Sequence, residues 1–311
     1  MNSLNKEEEK IKVAREEQEQ RYMSNYIKKG KIENLKSEFS NYVEQGITFI
    51  PTGFAKLDKI LGGGLPIGLT IIGAVSSLGK TTFCLQIAEQ MARMGQDVFF
   101  FSMEMSKFVL MSKGVSKIAH DKGYRFTAQQ VINNEMDKDK LQECLNDYPN
   151  NIYILEGEYN TSANSINDVI KEYLKEHEKA PVIMVDYLQI LGSENVNATD
   201  KQKCDENVTT LKNLAVKYNT SVVAISSLNR ASYQEEISMS AFKESGAIEY
   251  TSELLLGLQL NGVGSKGFNE NEAKAREIRD VELVILKNRM GATGEKIPYK
   301  FASAYNIFKE Y

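Results

Sequence analysis

Cysteine is scarce: Cys84, Cys144 and Cys204 stand sixty positions apart in 311 residues, and no CxxC pair occurs. Only His120 and His177 stand by to join them, so the ligand spacing of a zinc site is missing. An odd, sparse set also excludes a disulfide-dense secreted scaffold. It fits free thiols acting as small apolar side chains in a reducing compartment, and a soluble, cytoplasmic protein without a structural disulfide is expected. No stretch approaches the roughly 18 uncharged apolar residues of a spanning helix. The first twenty residues lack the apolar segment of a secretory leader, and no membrane partner is expected. Five prolines and 21 glycines rule out a collagen-like repeat. An excess of one charge is absent too: 38 Lys+Arg against 42 Asp+Glu leave a net charge of -4. Bulk charge will not capture nucleic acid, so any such contact must be local.

What is present is ordinary globular composition, 42% hydrophobic and 26% charged, in a length that suits one large domain with an appendage. Residues 1–47 are rich in Glu, Lys, Gln and Arg, contain no proline, and read as a helical arm. Ile32, Leu35, Phe39 and Val43 recur at three- and four-residue spacing and give its second half an apolar face, whereas residues 5–20 show no core stripe. The first half reads either as a solvated helix or as an arm that docks on a partner.

From residue 48 to 311 the pattern is that of a second unit. Short apolar runs, LTIIGA (69–74), DVFFFS (97–102), NIYILE (151–156), PVIMVD (181–186), TSVVAIS (220–226) and ELLLGLQL (253–260), read as fully buried strands. Helical stretches near 80–94, 106–120, 164–178 and 202–218 lie between them. The alternation predicts an α/β fold with a mainly parallel central sheet flanked by helices. VELVILKN (281–288) and KIPYKFA (296–302) read as a terminal hairpin, and the polar stretches 193–202 and 261–276 as loops.

The strongest local signal follows the first strand. In GAVSSLGKTT (73–82), Gly79 lets backbone N–H groups turn toward phosphate oxygens, Lys80 reaches the β and γ phosphates, and Thr81 offers a hydroxyl to Mg²⁺. The helix that opens here, with Thr82 in its first turn, directs its positive end at the anion. This is a phosphate-binding P-loop (Walker A) for ATP, with Ala74 in place of the strict first glycine and Ser76 and Ser77 in the turn. Such a site needs an acidic partner for Mg²⁺ and a base near the γ phosphate. Asp186, at the end of PVIMVD, is the candidate metal ligand, the alternative being a turn-capping Asp. Glu104 is the candidate base, its strand expected beside the P-loop strand; the alternative is a helix cap.

Together these residues carry a resemblance. PTGFAKLDKILGGG (51–64), the P-loop, FFFSMEMSK (99–107), VIMVDYLQIL (182–191), AISSLNR (224–230), KESGAIE (243–249) and KNRMGATGE (287–295) are similar in order and spacing to the motor domain of DnaB-family replicative helicases. The resemblance implies a RecA-like P-loop NTPase fold and a homo-oligomer, a hexameric ring with ATP sites between subunits and movement on single-stranded DNA. It also implies that Lys287 and Arg289 reach a neighbour's γ phosphate, that Glu104 is the catalytic glutamate, and that Asp186 is the Walker B aspartate.

Three departures accompany it. Ser227 stands where the family usually carries a glutamine that senses the γ phosphate. The segment 231–249, where the family has a basic DNA-binding loop, offers Glu235, Glu236, Glu244 and Glu249 against Lys243, so DNA contact is expected to be weak and local, through Arg230 and Lys243. Only the arm precedes Thr48, where the family carries a globular domain, and a primase partner does not follow; the arm is the candidate contact for a loader or other replication protein. Two alternatives stand beside a helicase motor. One is a RadA- or KaiC-like ATPase, which ILGGGLP and KNRMG also resemble; the other is a helicase-like regulator that binds ATP without unwinding.

Overall fold

A computed structural model of the chain describes residues 2–45, 49–158, 160–195, 197–229, 234–242 and 245–311. Two compact units are present, Met1–Thr48 and Phe49–Tyr311. The first holds helices α1 (Asn2–Lys29) and α2 (Ile32–Gln45). Gly30 and Lys31 interrupt them, and the Asn34 side chain donates to the Lys28 carbonyl at 2.6 Å across the break. The apolar face expected on α2 forms and is exposed at Ile32, Leu35, Phe39 and Val43.

The second unit is built on strands β1 (Gly68–Ala74), β2 (Val98–Ser102), β3 (Ile152–Glu156), β4 (Val182–Asp186), β5 (Ser221–Ser227), β6 (Leu254–Leu260), β7 (Ile278–Asn288), β8 (Lys296–Ala302) and β9 (Ile307–Glu310). They form one nine-stranded sheet in the order β3-β2-β4-β5-β1-β6-β7-β8-β9. From β3 to β6 the pairing is parallel; β7, β8 and β9 add on antiparallel. Helices α3 (Ala55–Ile60), α4 (Lys80–Arg93), α5 (Lys107–Asp121), α6 (Ala128–Ile132), α7 (Lys138–Asn146), α8 (Ala163–Tyr173), α9 (Asp200–Lys217), α10 (Ser245–Thr251) and α11 (Glu270–Ala275) complete it. The connections β1–α4–β2 and β2 to β3 cross the sheet one way; those through α8, α9 and α10 cross it the other way. Right-handed crossovers in opposite directions fall on opposite faces, so helices cover both.

Four expectations need correction. β2 does not adjoin β1: β5 and β4 lie between them. NIYILE is not fully buried, because β3 pairs only with β2 and leaves Tyr153 and Glu156 exposed at the sheet edge. The loop read at 193–202 already contains the start of α9, where Thr199 and Gln202 form a reciprocal capping box. The loop at 261–276 contains α11, with Asn269 accepting from the Asn271 and Glu272 amides. Beyond the hairpin, β9 supplies a further strand, and the Gln86 side chain pairs with both backbone groups of Phe308 (2.9 and 2.8 Å). These two bonds and the packed rings of Phe54, Phe83, Tyr299 and Phe308 bolt α4 to β8 and β9.

Candidate functional site

β1 ends at Ala74, the chain turns through residues 75–79, and α4 opens with Lys80. Gly79 takes φ 88°, and a Cβ there would stand 2.7 Å from the Phe301 ring, so glycine is required both by backbone conformation and by space. Two cations hold the turn from outside: Arg279 Nη1 donates to the Ser77 carbonyl at 2.9 Å, and Lys274 Nζ to that of Ser76 at 3.3 Å. The first-turn N–H groups of α4 lack intrahelical partners and carry the positive end of the helix dipole. Lys80 and Thr81 are half-buried and Thr82 is buried. Burial lowers the Lys80 pKa, while Asp186 and Glu104 oppose the shift; the lysine therefore faces both acids.

Asp186 closes β4 and is 1% exposed. Neither carboxylate oxygen makes a hydrogen bond of normal geometry, although the Thr81 hydroxyl stands beside the group and favours its anion. Burial pushes its pKa up to about 6; Glu104 adds to the shift, and Lys80 and Lys113 oppose it. A buried acid left without partners is costly unless a cation joins it. Its raised pKa makes the contribution of Asp186 to stability most favourable below the ordinary value of 3.8 and lost as pH rises through about 6. Asp186→Asn is accordingly expected to raise the melting temperature of the metal-free protein by about 5 °C at pH 8 and to have little effect near pH 4. Thermal melts in a chelator check this, and no gain at pH 8 would remove the strain ascribed to the ionised carboxylate.

Glu104 lies in the exposed bend after β2. Ser102 Oγ fixes that bend, donating to the Met105 carbonyl at 2.7 Å and accepting from its amide at 3.2 Å. What brings Glu104 to the site is β4: Ser102 pairs with Asp186, and the Met103 amide donates to the Asp186 carbonyl at 2.7 Å. Helix α5 is capped by Ser106, which accepts from the Val109 amide. Glu104 is therefore not its cap.

Lys287 and Arg289 sit elsewhere. Leu254 pairs with Thr70 on one side and with Asn288 on the other, whereas Ala74 pairs with Leu258. Four residues of strand, about 13 Å, thus separate the edge holding Lys287 and Arg289 from the edge holding the P-loop. There Lys287 Nζ donates to the carbonyls of Glu249 (2.5 Å) and Ser252 (2.7 Å). Arg289 donates to the Tyr250 carbonyl at 2.8 Å and pairs with Glu253 at 3.2 Å. Ser227 lies in register beside Ala74. Arg230, Lys243 and Glu244 fall outside the described residues. Glu235 is exposed, and Glu236 is paired with Lys296 at 2.9 Å.

Sequence reasoning missed Lys113, Lys274 and Arg279. Lys113 lies on α5, bonded to Asn306 Oδ1 at 3.0 Å and within electrostatic range of Asp186. Its position depends on how α5 packs, which no local pattern encodes. Lys274 and Arg279 lie in and just after the stretch read as a loop, and only the run of β6 out to the P-loop edge, where α11 and the start of β7 follow it, brings them there. The three cysteines are free and buried, and no cluster of three metal-ligating side chains occurs among the described residues. No helix there is long and apolar enough to cross a membrane.

A P-loop on β1 facing acids at the ends of β4 and β2, all at the carboxyl edge of a mainly parallel sheet, defines the RecA-like P-loop class. The profile of the DnaB-like helicase C terminal domain matches residues 49–310, and the chain belongs to that family, which decides against the RadA- or KaiC-like alternative. It is 29% identical over 282 residues to the probable replicative DNA helicase of Trieres chinensis, covering 89% of this chain and 60% of the relative. To the replicative DNA helicase DnaB of Geobacillus stearothermophilus it is 30% identical over 273 residues, covering 84% and 56%. The chain thus spans little more than half the length of these relatives. Among solved structures, one described as an ATPase domain matches with a TM-score of 0.77 at 25% identity, covering 91% of this chain and 99% of that one. A DnaB-like replicative helicase described with its primase interactions matches with a TM-score of 0.74 at 26% identity, covering 89% and 65%.

Proposed function

We propose that the chain is a DnaB-type motor that hydrolyses Mg²⁺-ATP at the interfaces of a ring, hexameric as in the family it resembles, and moves on single-stranded DNA. The observation that carries this reading is the division of the site between two sheet edges. Lys80, Thr81, Glu104 and Asp186 lie at one edge, Lys287 and Arg289 at the other, and one chain cannot bring them together. Two adjacent copies can.

In this reading Ala74, Ser76, Ser77, Gly79, Lys80, Thr81 and Thr82 hold the phosphates, with Lys80 on the β and γ groups. The unpartnered oxygens of Asp186 and the neighbouring Thr81 hydroxyl are the donor set that suits Mg²⁺, a hard cation that takes oxygen ligands and keeps several waters. When bound, the metal neutralises phosphate charge. Glu104 orients the attacking water and accepts its proton. Arg289, with Lys287, reaches the γ phosphate of the neighbouring subunit.

DNA contact is assigned to the segment after Leu228, with Arg230 and Lys243 as its cations. Its exposed Glu235 makes the contact weak and salt-sensitive, while Lys296 offsets Glu236. The exposed apolar face of α2 supports a docking role for the arm, toward a neighbouring subunit or a loader.

The test is ATP turnover with and without single-stranded DNA, alongside solution mass with and without nucleotide. Turnover by an oligomer, lost in Lys80→Ala with the fold intact, is expected. Full activity in a strictly monomeric form, or unchanged turnover in Lys80→Ala, would overturn the site. Ser227 favours a second reading, a regulator that binds ATP and joins a ring without unwinding; nucleotide-dependent assembly without DNA-stimulated turnover would select it.

A further inference from the structure

Beyond Asp186 the chain makes a single turn, Leu188–Ile190, and Gln189 reaches from it across to the end of β5. Its Nε2 donates to Ser226 Oγ at 2.8 Å, and its Oε1 accepts from the Ser227 amide at 3.1 Å. Ser226 lies in register beside Gly73 and Ser227 beside Ala74, where the P-loop begins. The next residue, Leu228, bridges to Phe242, and the Asn229 amide donates to the Ala241 carbonyl at 2.8 Å. This returning segment packs on the same floor: a Cβ on Gly73 would stand 2.4 Å from the Phe242 ring and 2.8 Å from Leu228. One carboxamide, three residues from Asp186, thus holds the point where the P-loop strand, β5 and the base of the 228–242 segment meet.

We propose that Gln189 is a positioning residue that carries a change at the Asp186 turn into β5 and the base of the 228–242 segment. The proposal rests on the nucleotide-site reading above. Its chemistry is that of a carboxamide: one group donates to a hydroxyl and accepts from a neighbouring amide, locking two consecutive residues. The Ser227 side chain is too short to make such a link from the β5 side. In this chain the link is made from β4.

Gln189→Met keeps the volume and removes both bonds. Hydrogen exchange of the full chain, with and without Mg²⁺-ADP, reads the consequence. In the wild type, nucleotide is expected to slow exchange roughly tenfold in peptides covering the P-loop, 224–229 and 237–242. In Gln189→Met the P-loop protection remains, and that at 224–229 and 237–242 is lost. Gln189→Glu, whose carboxylate can still accept from the Ser227 amide and the Ser226 hydroxyl, retains it. Turnover gives a second readout: kcat in Gln189→Met falls about tenfold with KM for ATP within about twofold, the effect of losing one or two hydrogen bonds that matter in the transition state. Equal nucleotide protection at 224–229 and 237–242 in wild type and Gln189→Met would overturn the proposal. So would a loss of protection throughout the protein that Gln189→Glu shares. Absence of nucleotide-induced protection at the wild-type P-loop would instead remove the nucleotide-site reading, and this proposal with it.

Discussion

Glu104→Gln is expected to retain ATP binding and to lose turnover by about 10²-fold or more, the usual cost of removing a positioned base. The carboxamide has the same shape but cannot take a proton from water. Three features place the carboxylate for that task. The bend that carries it is pinned by Ser102 Oγ, and the bend is joined to Asp186 by the Met103 amide. Lys80 and Asp186 both feel the charge of Glu104. Because Ser106 caps α5, the substitution removes no cap, and the melting temperature should stay where it is. Nucleotide titration, steady-state turnover and a thermal melt on the same preparation separate the roles. Equal turnover in wild type and variant would take Glu104 out of the chemistry; a fall in stability matching the fall in rate would make it structural.

The P-loop was legible because its requirements are local. A strand, a left-handed turn at Gly79, a lysine and a helix start are consecutive in the chain, and each leaves a residue-level trace. Asp186 was legible for a related reason, since an acid ending a run of buried apolar residues has little reason to be there without a cation or a turn to serve. Strand order was not legible. DVFFFS, PVIMVD and TSVVAIS are similar apolar runs, and nothing within any of them says which neighbours it takes. Glu104 was assigned to the site on the wrong adjacency, and β4 rather than β1 is what brings it there. Edge position is equally hidden: NIYILE has core-like composition, yet β3 is half-exposed because the sheet ends at it. The α9 start, by contrast, was written in the sequence as Thr199 followed by Gln202, a capping signal overshadowed by the polar residues around it. Arg279 and Gln189 act on residues 202 and 37 or 38 positions away, so only the assembled sheet reveals them.

Arg289→Ala should reduce turnover by about 10³-fold or more, the range found when an arginine that stabilises transferring phosphate is removed. Under the proposed function this loss is a property of an interface between subunits. Within its own chain Arg289 stands at the sheet edge opposite the P-loop, exposed, and held by Glu253 and the Tyr250 carbonyl. Lys287 beside it is fixed by carbonyls at the end of α10, which favours a cation there. Arg289 is exposed at this strand end and Lys287 is held against carbonyls of its own chain, and neither folds back toward Lys80. If a neighbour's γ phosphate is its target, then Arg289→Ala subunits still offer a complete Lys80 edge, and Lys80→Ala subunits still offer a complete Arg289 edge. Random mixing at equal amounts would make about one interface in four intact on both sides. Two preparations that are each inactive should therefore recover up to about a quarter of wild-type turnover when they exchange into common rings, for a head-to-tail assembly with independent interfaces. Turnover measured against mixing ratio, with exchange verified by native mass, reads this directly. No recovery in verified mixed rings would place Arg289 outside the shared site.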